Sequence, residues 1–208
     1  MSEHFSCSAC CGIYNLKKKD EERYKWLEEN TQQFLALDLS NTESIIRFRR
    51  EREMVTLPQR VREDTYVCPF VGFVHNQKMG CLLHPVGSPH PQISILPHPQ
   101  NFSFYGEGIC QSYDCLAKER RAHRADFFRW AETAPFFAYS RLASDHTLHR
   151  ALAGMDLGEC DLAPFYDLLS QLYEEYNVVV TSFENIEKEV PSSWEDLWLY
   201  LANNIVCM

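Results

Sequence analysis

Thr65-Tyr-Val-Cys-Pro-Phe-Val-Gly-Phe-Val74 is the stretch whose reading separates this chain from an all-helical one. It is rich in β-branched and aromatic residues, which favour a pleated strand. Pro69 has no N–H to give a ladder, so it marks a break or an edge. His75-Asn-Gln-Lys78 reads as a turn, and Met79–Leu83 as the antiparallel partner of a hairpin. Outside the hairpin the pattern becomes helical. Residues 19–37 place Tyr24, Leu27, Phe34 and Leu35 near one helix face. A second helix is expected after Ser40, which with Glu43 makes a capping-box signature, and runs through Ile45, Ile46 and the charged stretch Arg47–Glu53. Residues 84–101 are rich in proline, with His-Pro steps at His84, His90 and His98, and read as an extended loop.

Beyond Cys115 the spacing predicts helices over 116–133, 135–153, 161–176 and 193–206. Asp161 is placed to cap the third, with Pro164 tolerated in its first turn. Ser192 and Glu195 form a second capping box before the last. Val178–Thr181 reads as a short strand. The expected fold class is α+β, predominantly α-helical. An irregular, cysteine-clasped N-terminal part with a small β-hairpin (1–115) has a helical part (116–208) packed against it, within a single domain 1–208.

A chain of 208 residues can bury a substantial core without cross-links. No apolar run is long enough to span a bilayer, and Met1–Cys7 has no apolar stretch of a secretory or lipoprotein signal. The expected compartment is cytoplasmic, where thiols stay reduced and ligate metals rather than pair as disulfides. Net charge is −9, but residues 151–208 hold one Lys against 11 Asp and Glu. That acidic part argues against a general nucleic-acid binder.

Seven of the nine cysteines fall in four clusters: Cys7-Ser-Ala-Cys10-Cys11-Gly12, Cys68-Pro69, Gly80-Cys81-Leu-Leu-His84-Pro85 and Cys110-Gln-Ser-Tyr-Asp-Cys115. All eight histidines precede residue 150. Cys7-x-x-Cys10 has the spacing of a metal knuckle, which turns two sulfurs toward one ion. Gly12 permits the tight turn that follows. Adjacent Cys10 and Cys11 point apart, which suits a cluster or two neighbouring sites. Cys81-x-x-His84 repeats the knuckle spacing with a nitrogen ligand. The candidate metal ligands are therefore Cys7, Cys10, Cys11, Cys68, Cys81, His84, Cys110 and Cys115. They would fill two four-coordinate zinc sites, and four of the thiols would fill one iron–sulfur cluster. The radical-type C-x-x-x-C-x-x-C run is incomplete, since position 14 is Tyr. Cys160 and Cys207 lie in or beside apolar segments and read as small buried hydrophobes.

Cys7-x-x-Cys10-Cys11-Gly12, Cys68-Pro69-Phe70 and the Gly80-Cys81 hairpin together resemble the bacterial YkgJ-like family, described as zinc- or iron-chelating cysteine-rich proteins. The resemblance covers about the first 115 residues. It departs from the family pattern in lacking an extra x-x-C step before the Cys-Cys pair. It implies metal chelation and no particular activity; the expectation taken from the clustered thiols is zinc in a mainly structural role. Flagellin lysine methylases look similar in carrying such a module, so the alternative it implies is an iron–sulfur protein acting in redox or methyl-transfer chemistry. Neither a substrate nor a protein partner is implied.

Other features read more plainly. His146-x-x-His149 lies on one helix face and reads as an exposed pair. Lys118–Arg124 and the arginines Arg47, Arg49, Arg50 and Arg52 read as solvated helix faces. Phe127, Phe128, Trp130, Phe136, Phe137 and Tyr139, with Trp194, Trp198 and Tyr200, are spaced as helical core. No phosphate-binding loop, dinucleotide fingerprint, nucleophile elbow or H-E-x-x-H is present.

Overall fold

The structure is a computed structural model, and it describes residues 8–74, 78–83, 123–157, 160–180, 193 and 195–199. It is mainly helical with one two-stranded antiparallel sheet. The chain divides into two compact units, Cys11–Asp114, and Met1–Cys10 with Cys115–Met208.

In the first unit two short 3₁₀ turns, Ala9–Cys11 reaching in from its edge and Ile13–Asn15, precede helix α1, Asp20–Leu35. Asp20, Glu21 and Glu22 in its first turn complement the helix dipole. One face of α1 buries Arg23, Trp26, Leu27, Asn30 and Phe34. Helix α2, Thr42–Thr56, starts from Asn41, whose side chain accepts the Glu43 N–H at 3.0 Å. Ser40 does not cap it; its hydroxyl donates to Asp38 Oδ1 at 2.6 Å instead. A short side chain beside a carboxylate satisfies itself locally, and the cap passes to the next residue.

Strand β1 is Val71–Phe73 and strand β2 is Met79–Cys81, with Val71 opposite Cys81, Gly72 opposite Gly80 and Phe73 opposite Met79. The ladder is far shorter than the 65–74 stretch suggested. Polar side chains of α1 take up the backbone groups around it. Asn30 Nδ2 donates to Pro69 O at 2.8 Å and Val71 O at 2.6 Å, and Phe73 N–H donates to Thr31 Oγ1 at 2.7 Å. Residues 65–68 run back to the N-terminal turns. Asn15 donates to the carbonyls of Arg62 and Thr65 and accepts from Arg62 N–H. The apolar centre of the unit is Phe34, Ile45, Phe48, Tyr66, Cys68, Phe70, Leu82 and Leu83. Phe34 meets Phe48 and Phe70 edge-on.

The second unit holds α3 (Ala125–Ala131), α4 (Phe136–Ala143), α5 (His146–Gly154) and α6 (Ala163–Glu175). The single helix expected over 135–153 is broken at Ser144-Asp145. Asp145 caps α5 by accepting the Leu148 N–H at 3.0 Å, and its other oxygen accepts the Tyr173 hydroxyl at 2.8 Å. Asp161 does reach the start of α6, accepting the Ala163 N–H. Ser193 Oγ accepts the Asp196 N–H before the helical residues 195–199. The proposed cap Ser192 lies outside the described residues, as do 116–122 of the first predicted helix. Val178–Val180 form no strand among the described residues. Phe127, Trp130, Leu142, Leu148, Leu152, Tyr166, Leu169 and Tyr173 make the core. Of the aromatic residues expected there, Phe127, Trp130 and Phe137 are buried, Phe128, Phe136 and Tyr139 are partly exposed and Trp198 is about half exposed; Trp194 and Tyr200 lie outside the described residues.

Gly12 is the tightest point of the first unit. It has φ of 73°, and a Cβ built there would lie 1.8 Å from the Tyr66 carbonyl oxygen. Neither backbone has room to give way. Gly12→Ala is therefore expected to destabilise the first unit by about 3 kcal/mol or more, from left-handed strain plus displacement of the 65–68 segment. Gly154, with nothing within 4 Å of its Cβ position, provides the control: Gly154→Ala should leave stability unchanged or raise it by up to about 1 kcal/mol. Urea unfolding of the two variants checks the contrast.

Candidate metal centre and a buried histidine cluster

Three of the cysteines singled out in the sequence belong to the first unit and border its apolar centre. Cys68 is a buried member of the cluster, and the half-buried Cys11 and Cys81 pack against it. The backbone brings them there. Gly12 turns the chain so that the Cys11 carbonyl accepts the Cys68 N–H at 2.8 Å. The Cys68 carbonyl accepts Val71 N–H at 3.4 Å, and Val71 pairs with Cys81 across the hairpin. Segments remote in sequence are thus joined by a chain of backbone pairings with a cysteine at each end and one in the middle.

The surroundings are dry and polarised. Tyr66 donates its hydroxyl to Glu53 Oε1 at 2.8 Å, and Glu53 also holds Arg49 at 2.9 Å. Burial, then the charge of Cys68, then the bond to Glu53 push the Tyr66 phenol well above its ordinary range. Tyr66 therefore remains a hydrogen-bond donor at any ordinary pH.

Among the described residues no group of three or more His, Cys, Asp or Glu is arranged to hold a metal ion. Cys10 is half-buried and belongs to the other unit. Cys7, His84, Cys110 and Cys115 lie outside the described residues. Cys160 departs from expectation. It is exposed, beside a surface pocket lined by Arg124, Ala125, Asp126 and Arg129. The loop just ahead of α6 turns it outward, and its apolar neighbours Leu157 and Leu162 take the core positions instead.

No family model matches the chain, and no curated protein or solved structure matches it either. No helix among the described residues is long and apolar enough to cross a membrane.

The histidine pair also departs from expectation. His146 and His149 are both 2% exposed, and His123 is 8% exposed. The rings of His123 and His149 meet at 4.1 Å, with Phe127 against both. The cause is the helix break at Ser144-Asp145. A helix C-terminus leaves its last carbonyls without intrahelical partners. His149 Nε2 lies 2.9 Å from Leu142 O, and His123 Nε2 lies 3.1 Å from Ala143 O. A carbonyl only accepts, so each Nε2 carries the proton, and both rings act as caps for α4. His149 Nδ1 and both ring nitrogens of His146 have no hydrogen-bond partner among the described residues. Periodicity alone gave no warning, because the partners are backbone groups freed by the break. The one readable signal was Asp145, a good N-cap residue in mid-helix.

Burial, followed by the positive charges of His123 and Arg150, holds His146 down to about 4. Burial and then His123 hold His149 well below the ordinary histidine range. Depressed histidines bind protons more readily in the unfolded chain, so their contribution is complete above about pH 6.5 and lost as the pH falls toward 4. The second unit is expected to lose about 2 kcal/mol from His146 across that window, after allowance for solvent screening. Unfolding measured from pH 7 to 4 checks this. His146→Phe should flatten the slope, and an unchanged slope would place the acid sensitivity elsewhere.

Proposed function

We propose that this is a cytoplasmic metal-binding protein whose clustered cysteines hold zinc in a mainly structural role. The observation that carries the reading is the Cys11–Cys68–Cys81 arrangement around one apolar centre, drawn together by the Gly12 turn and the hairpin. Its donor chemistry suits a soft divalent cation. Thiolates beside an apolar centre are costly as bare charges, and a metal ion neutralises them. A cytosolic setting keeps such thiols reduced and available. The resemblance of these segments to zinc- or iron-chelating cysteine-rich proteins supports the same reading.

Cys11, Cys68 and Cys81, which form no ready ligand group by themselves, would each contribute to sites completed by Cys7, Cys10, His84, Cys110 and Cys115. The ion supplies a cross-link between chain segments, and the protein supplies the geometry. The first unit has only a three-residue ladder in its sheet, so a cross-link at the N-terminal turn and the hairpin would add directly to its stability. The seven clustered thiols equally suit an iron–sulfur cluster, the second reading.

Elemental analysis of protein purified without oxygen separates the two: zinc and a colourless protein on the first reading, iron with sulfide and a brown one on the second. Cys68→Ser and Cys81→Ser should each remove about half or more of the bound metal. Cys160→Ser should leave the metal content unchanged. His84→Ala should lower content or affinity only if His84 is a ligand, and His90→Ala should do neither. Protein that purifies with neither metal, or that loses as much metal with Cys160→Ser as with Cys68→Ser, would end the proposal.

A further inference from the structure

The seam between α1 and α2 contains a buried cation two of whose three nitrogens have no acceptor among the described residues. Arg52, on α2, is 6% exposed, and its guanidinium lies over the ring of Trp26, on α1, at 5.2 Å from the ring centroid. One bond is made: Nη1 donates to Gln33 Oε1 at 3.2 Å. Nε and Nη2 have no hydrogen-bond partner among the described residues. Trp26 is 5% exposed, and its indole Nε1 is also without a partner. Arg49, one turn earlier on α2, is already committed to Glu53. Glu29, on α1, is exposed and acts on Arg52 only through its charge.

Buried polar groups are nearly always paired, and a buried charge left unpaired is among the costliest arrangements a fold can hold. The stack on Trp26 offsets part of that cost, and the single bond to a neutral amide offsets a little more. Neither supplies an acceptor to Nε and Nη2. These two form the edge of a guanidinium that receives two oxygens at once, as carboxylates and phosphates offer them. The indole N–H is a donor only. Every unmet group at this place is therefore a donor, so the complement is an anion, and a cation is rejected.

We propose that the Nε–Nη2 edge of Arg52, together with Trp26 Nε1, binds a small oxyanion, either a carboxylate group or inorganic phosphate. The oxyanion takes the two guanidinium donors side by side, and the indole N–H adds a third. Gln33, which accepts from Arg52, and Glu29, whose charge acts on it, are both exposed on α1. Glu29 weakens the site by repelling the incoming anion. The site stands independently of the metal reading.

The test titrates full-length protein with acetate and, separately, inorganic phosphate at constant ionic strength set by chloride. The readout is the Trp26 indole N–H resonance, assigned by its loss in Trp26→Phe. A saturable shift with at least one oxyanion, and none with chloride, is expected. The stronger of the two responses identifies planar carboxylate or tetrahedral phosphate as the preferred group. Isothermal calorimetry should show affinity reduced about tenfold in Arg52→Lys, which keeps the charge and loses the fork, and about fivefold in Trp26→Phe, which keeps the ring and loses the donor. Glu29→Gln should tighten binding. If Arg52→Lys fails to fold, Trp26→Phe and Glu29→Gln still decide the matter. No saturable response in either wild type or Glu29→Gln, or equal affinity in wild type and Trp26→Phe, would overturn the proposal. So would a large loss of stability in Glu29→Gln without anion binding, since Glu29 would then be the counter-ion.

Discussion

The close approach of the Gly12 backbone to the Tyr66 carbonyl is the constraint on which the first unit rests. A side chain at residue 12 would occupy the space of that carbonyl. Only with glycine there does Cys11 O reach Cys68 N–H, and only then does Asn15 fall within reach of Arg62 and Thr65. Asn15 uses both amide hydrogens and its oxygen, and so satisfies three backbone groups in a loop that has no regular structure to do so. The turn thereby fixes where the chain re-enters after α2, and hence where Cys68 and Phe70 meet Phe34 and Phe48. The apolar centre follows from a polar and steric arrangement at its edge.

The two units settle their buried polar groups in different ways. In the first, side-chain amides and hydroxyls of α1 stand in for a missing strand beside β1. In the second, imidazoles cap a helix that ends in the interior. Both devices compete successfully with regular structure because a buried backbone group without a partner costs more than the side-chain entropy spent on reaching it. Both also leave traces of strain in the accounting. His146 keeps two ring nitrogens unpaired, and Arg52 and Trp26 keep three nitrogens unpaired. These are two of the places among the described residues where buried polar atoms have no hydrogen-bond partner. One is sensitive to protons because imidazole titrates, and the other to anions because guanidinium does not.

This explains what could be read from the sequence and what could not. The helices over 20–35 and 163–175 were legible as helices, but the buried face of the first was misplaced: Leu27 and Phe34 are buried as expected, whereas Tyr24 and Leu35 are exposed and Arg23, Trp26 and Asn30 take the inner face. The hairpin was legible in its existence, from the β-branched run and the turn, but not in its length, since Asn30 and Thr31 act from another element. The break at Ser144-Asp145 was hidden inside a helical pattern, as Tyr173 supplies the second half of the reason for Asp145. The burial of His146, His149 and Arg52 was misread for a common cause. Each is polar on a helix with polar neighbours, and their partners are either backbone groups freed by a break or an aromatic face of another helix. Cys160 was misread in the opposite sense: its neighbours are apolar, but the loop turns them inward and the thiol outward.

For the candidate metal centre the same logic has a consequence. Clustering of cysteines along the sequence pointed to residues that the fold brings to one apolar centre: Cys11, Cys68 and Cys81 are held there both by backbone pairings and by packing. Cys11 and Cys81 are only half-buried, at the border between the apolar centre and solvent. A soft cation bound there, as proposed above, would neutralise thiolates on the apolar side and keep part of its hydration on the other. Cys11 and Cys81, half-buried, and Cys68, buried, thus differ in exposure while sharing one array of backbone pairings.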